Sequence, residues 1–160
     1  MHIGGVIMAV KTCFFIGHRE TTEGLRPYLD EAIEAHIKCG VSDFVVGNYG
    51  AFDRMVATAL LAAQEKHPEI RLFLLIPYHP AERNTAVPKG FTSYYPPGIE
   101  SVPRRFAIVR ANRHMIDHSE YLIAYVWHPA SNSRNLLEYA QTKDIRITNL
   151  ADRFRGTANG

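Results

Sequence analysis

At 160 residues, with 46% hydrophobic and 21% charged content, the chain has the size of one globular domain with a real core, and a second domain is not expected. Its 18 basic and 16 acidic residues leave a formal charge of +2 with no block of like charges, which argues against nucleic acid or an anionic membrane and for a small partner. Cys13 in an apolar run and Cys39 at an expected helix end read as reduced packing residues rather than a disulfide framework, so a cytoplasmic location is expected.

Residues 1–11 read as an N-terminal extension. The apolar stretch 3–10 is too short to span a bilayer, it lacks a basic flank and a clear A-x-A site, and Met8 is a candidate alternative start. Residues 12–16 (TCFFI) then form a short β-branched and aromatic run ended by Gly17, which reads as a buried first strand. Leu25, Leu29, Ala32, Ile33 and Ile37 repeat at helical spacing, with Pro27 suited to a first turn and Gly40 to a stop. A second strand is expected at 43–46 (DFVV), followed by the turn GNYG at 47–50 and a helix over 51–66 marked by Met55, Val56, Ala59, Leu60 and Ala63. The clearest strand is 71–76 (RLFLLI).

From 77 to 103 prolines, glycines and tyrosines show neither period, so a long loop is expected, of a length usually tied to function. Helix is expected over 102–118, strand over 121–126, helix over 133–143 and a short strand over 145–148, with residues 153–160 a flexible tail. Strands alternating with helices imply right-handed βαβ units. The expected fold is therefore one α/β domain over 12–152, a Rossmann-like three-layer αβα sandwich with a mostly parallel sheet of about five strands.

In such sheets ligands sit beyond the carboxyl ends of the strands. Gly47, Asn48 and Gly50 are there, where glycines permit close backbone approach to phosphate and the next helix offers a positive N-terminus. Asp53 would face a ribose hydroxyl, or instead serve as a first-turn carboxylate worth about 0.3 to 1 kcal/mol. His18 and Arg19 follow Gly17 as candidate acid–base and phosphate groups, or as a solvated turn. Arg113 shares a helical stripe with Phe106, Val109 and Ile116, so its charge needs a partner: a ligand anion, Asp53 or Glu138. His114 and His118 lie one turn apart without an HExxH pattern, and no metal site is expected. The sequence has no Walker lysine motif, no GxGxxG and no GxSxG elbow.

Three segments, FFIGHRE, GNYGAFD and RANRHMIDHSEYLIAYVWHPASNSRNLLEYA, together resemble the SLOG superfamily (the Smf/DprA and LOG group), most closely its YpsA-like branch, over roughly residues 12–149. The resemblance implies a Rossmann-like fold that binds nucleotides or ADP-ribose-type ligands, with Ser131, Asn132 and Ser133 standing where the family has Gly-Gly-Thr. It also departs from the family: Asn48 replaces a glycine, and Asn135 stands where the LOG phosphoribohydrolases carry their glutamate. An amide cannot be a general acid or base. A nucleotide-binding module, serving as a ligand sensor and needing no cofactor, is therefore the leading expectation. An N-glycosidic hydrolase or transferase using Glu138 or Glu20 is the alternative, and single-stranded DNA binding the third. The related families also make a homo-oligomer the expected assembly.

Overall fold

The computed structural model describes residues 2–3, 6–7, 9–79 and 85–154. Two short strands, β1 (His2–Ile3) and β2 (Val6–Ile7), pair antiparallel at the N-terminus. The main sheet contains β3 (Lys11–Gly17), β4 (Val41–Val46), β5 (Arg71–Leu75), β6 (Phe91–Tyr94), β7 (Tyr121–Tyr125) and β8 (Arg146–Asn149). Its order is β6-β5-β4-β3-β7-β8, and every neighbouring pair is parallel.

Central β3 shows why its sequence reads as continuous rather than alternating apolar text. Cys13 and Phe15 point into one core with Leu29, Ile33, Val56 and Leu60, while Phe14 and Ile16 point into the other with Ala111, Met115, Leu122 and Leu137. A strand buried on both faces needs apolar residues at both parities. The first core lies under α1 (Arg26–Lys38) and α2 (Ala51–Lys66), and the second under α3 (Ala107–Asp117) and α4 (Asn132–Gln141). The architecture is the expected Rossmann-like αβα sandwich. Among the described residues no helix is long and apolar enough to cross a membrane.

The sheet has six strands rather than about five, because β6 lies inside the segment expected to be loop. It pairs with β5 from Leu72↔Phe91 to Leu75↔Tyr94 and buries only Phe91 fully. An edge strand needs one ladder and one apolar anchor, so FTSY carries no run that a periodicity search detects. The helix expected from 102 begins instead with a 3₁₀ turn, Arg104–Phe106, and becomes α-helical at Ala107. Pro103, lacking an N–H, precedes that turn with φ -52° and ψ 137°, near the polyproline conformation.

The chain lays β4, β5 and β6 on one side of β3 and then returns to place β7 and β8 on the other. Loops leaving β3 and β7 consequently diverge at their carboxyl ends, which opens a crevice there. At the opposite end, Asp43 of β4 accepts two bonds from Arg71 of β5, at 2.8 and 2.7 Å. The Asp43 side chain is only 11% exposed, whereas that of Arg71 is 60% exposed. Removing the arginine strands a buried carboxylate. Arg71→Ala is therefore expected to lower the unfolding free energy by about 1 to 3 kcal/mol. Urea titration of Arg71→Ala, Asp43→Ala and the double variant checks this, the double loss being smaller than the sum of the two single losses.

Candidate functional site

Beyond the carboxyl ends of β3, β4 and β7 lies a cleft of about 410 Å³. One wall comes from Gly17, His18 and Arg19 after β3, and a second from Gly47, Tyr49, Gly50 and Asp53 after β4. Ser131, Asn132 and Ser133 close it from the start of α4, while Arg105, Ile108, Val109 and Asn112 face it from the 3₁₀ turn and α3.

Two glycines are required by packing alone. A Cβ at Gly17 would stand 2.3 Å from the Phe52 ring, and one at Gly50 would stand 2.6 Å from Cα of Arg19. Both distances are far inside van der Waals contact, so these positions hold the β3 loop against the first turn of α2. The Ala51 N–H donates to the Arg19 carbonyl at 2.7 Å and fastens the same junction.

On the other side, Nε2 of His18 accepts the N–H groups of Trp127 and His128, at 3.0 and 3.1 Å. An Nε2 that accepts bears no proton, so His18 is the neutral tautomer with its hydrogen on Nδ1. Desolvation, then the charges of His128 and Arg134, hold its pKa below the ordinary histidine value. His18 is thus a latch on the β7 loop. Asn149 anchors that loop too, its side-chain amide pairing with both N–H and C=O of Val126 at 3.1 and 2.9 Å. Ser133 donates its hydroxyl proton to the Gly17 carbonyl at 2.7 Å, and Ser131 caps α4 by accepting from the Arg134 N–H. Both serine hydroxyls are engaged in building the cleft, whose other polar lining side chains include Asn112, Asn132, Arg19 and Arg105.

Asp53 is the single carboxylate among the lining residues. It is buried, and Oδ2 accepts the Tyr49 N–H at 3.0 Å. Burial pushes its carboxyl up to about 6, against the opposing pull of that hydrogen bond and of Arg54. The Tyr49 hydroxyl is buried without a hydrogen-bond partner among the described residues, and burial followed by the Asp53 charge raises its pKa.

The remaining candidates lie elsewhere. Glu20, Asn48, Asn135 and Glu138 are exposed and do not line the cleft. Arg113 is not on the buried stripe: Phe106 and Val109 are 50% and 45% exposed, and the buried face consists of Ala107, Ala111, Asn112, Met115 and Ile116. The partner that Arg113 finds is the Tyr139 ring, 4.7 Å from its guanidinium carbon, rather than Asp53 or Glu138. His114 stacks on His118 at 4.2 Å and meets the Tyr94 hydroxyl at 2.8 Å through Nε2.

Tyr49, Arg105, Ile108, Asn112 and Leu136 join the cleft without having been singled out from sequence. Positions 105, 108, 109 and 112 recur at helical spacing, and that stripe was the available signal. No family model matches the chain, and no curated protein matches it.

The buried Asp53 carboxylate carries a pH signature. A raised folded-state pKa means that its stabilising contribution is complete below the unfolded value of 3.8 and is lost as pH rises through about 6. Asp53→Asn keeps an oxygen for the Tyr49 N–H and removes the buried charge. The variant is expected to be more stable than the parent by about 1 to 3 kcal/mol near pH 7.5, with the gap shrinking toward about pH 4.5. Urea midpoints at the two pH values measure it.

Proposed function

We propose that the cleft binds a nucleotide or a nucleotide-derived ligand such as ADP-ribose, and that the protein is a SLOG-type, YpsA-like binding module acting as a sensor. One observation carries the reading. The N-termini of α2 and α4, together with Arg19 and Arg105, converge on one cleft at the point where strand order reverses. Helix starts present unsatisfied N–H groups and partial positive charge, and guanidinium groups grip phosphate oxygens in pairs. Its 410 Å³ falls within the usual range for small-molecule sites.

Asp53 repels a phosphate, so the phosphate is assigned to the α4 side and the ribose to the α2 side, where the carboxylate accepts hydroxyls. Ile108, Val109 and Leu136 offer an apolar wall for a base. A homo-oligomer belongs to the same proposal, on the strength of Phe106, Val109 and Trp127 standing exposed. A cytoplasmic location suits the free, exposed thiol of Cys39.

A second reading rests on Asp53 itself. A cleft carboxyl that titrates at about 6 has the acidity a general acid or base needs near neutrality. In an N-glycosidic hydrolase of this geometry the proton-transferring carboxylate is Asp53, since Glu20 and Glu138 stand outside the cleft.

Thermal shift against AMP, ADP, ATP, GMP, NAD and ADP-ribose, with chromatography of each mixture, separates the readings. At a hundred times the dissociation constant a ligand adds about 2.7 kcal/mol, or roughly 5 to 10 °C at this size. A shift with intact ligand supports the module. A shift with released base supports the hydrolase, and Asp53→Asn then keeps the shift and loses the base. Arg19→Gln with Arg105→Gln is expected to weaken AMP about ten-fold relative to adenosine. No shift with any of the six ligands overturns both readings.

A further inference from the structure

A second cavity, of about 350 Å³, lies on the other side of α3, under the 96–102 segment. The helix separates the two: 108, 109 and 112 face the strand-end cleft, whereas Arg110, Arg113 and Asp117 face this pocket. Positions three and seven apart share a helix face, so the two arginines and the aspartate form one row.

The row is electrostatically unbalanced. Asp117 Oδ1 accepts the Tyr139 hydroxyl at 2.7 Å and lies 3.6 Å from Nζ of Lys143, so the pocket's carboxylate already has a hydroxyl and a cation. Lys143 also approaches the Tyr139 ring, at 4.8 Å, while Arg113 lies 4.7 Å from the same ring centroid. Neither Arg110 nor Arg113 has an ion pair among the described residues. Two like charges one turn apart repel, and a shared anion reverses that repulsion. Stacking on Tyr139 restrains the Arg113 guanidinium before any ligand arrives, which reduces the ordering cost of binding. Pro97 and Ile99 add an apolar wall beside the charges.

We infer that the Arg110–Arg113 pocket is a separate binding site for a small oxyanion, phosphate or carboxylate, carried on a compact ligand with an apolar portion. The inference is independent of what the strand-end cleft binds. A purely structural role, in which the arginines only pack along α3 and against the Tyr139 ring, affects stability and not binding.

Amide NMR titration of the full chain with inorganic phosphate, and separately with malonate, tests it. The expected result is saturable perturbation of amides in 98–102 and 110–117. With Arg110→Gln and Arg113→Gln together, binding there weakens about ten-fold or more, while the urea midpoint stays near that of the parent and Arg113→Lys recovers part of the loss. Saturation by phosphate alone identifies a phosphoryl ligand, by malonate alone a carboxylate, and by both a site that reads charge. Shifts that rise linearly across the surface, shifts confined to 17–19 and 47–53, or undiminished binding by the double variant overturn it.

Discussion

The absence of a side chain at Gly17 sets the distance between the centre of the sheet and the start of α2. The Phe52 ring occupies the volume a Cβ would need, at 2.3 Å, and this contact lets the helix begin directly over the end of β3. From it follows the approach of Gly50 to the Arg19 backbone, and from that the Ala51 to Arg19 hydrogen bond that ties the first two loops into one unit. Placing α2 a methyl group's width further out would separate these loops and widen the cleft at its floor. The close packing that dictates glycine here is internal to the protein, and it shapes the cleft by fixing where the helix starts.

Polar latches do the same on the β7 side. His18 reaches from the first loop to the amides of Trp127 and His128, Ser133 reaches back to Gly17, and Asn149 extends the β7–β8 ladder by one amide pair at Val126. Each bond joins segments far apart in sequence, so the cleft walls become rigid only when the sheet is complete. Against this background Asp53 is held at a cost: its charge is buried beside a hydrogen-bonded loop amide. A group that the fold would stabilise by neutralising it, in a cleft, is the arrangement found where stability is given up for binding or proton transfer.

Much of the fold was legible because it depends on local text. Gly17, Gly47 and Gly50 end or follow apolar strands, and a parallel sheet buried on both faces writes runs such as CFFI and LIAYV without alternation. β6 was not legible, since an edge strand of four residues between prolines needs only Phe91 to anchor it. The site was legible where loops follow strands directly, so Gly17, His18, Arg19, Gly47, Gly50, Asp53 and 131–133 meet in space as they were grouped in sequence. It failed on α3, where Arg113 and Asn112 are neighbours on the chain but face different cavities.

The sequence by itself determined the alternation of strands and helices, the two-sided burial of β3 and the loops that gather at the carboxyl edge, because these follow from residue volume, hydrophobic period and glycine's lack of a side chain. Only the tertiary structure decided which way each face of α3 turns, that the hydroxyls of Ser131 and Ser133 are engaged within the protein, and that His18 is a latch. The reason is physical: hydrophobic period fixes a helix's apolar side to within about one residue's rotation, whereas the partner of a polar group is set by the positions of distant segments, which exist only once the sheet has assembled.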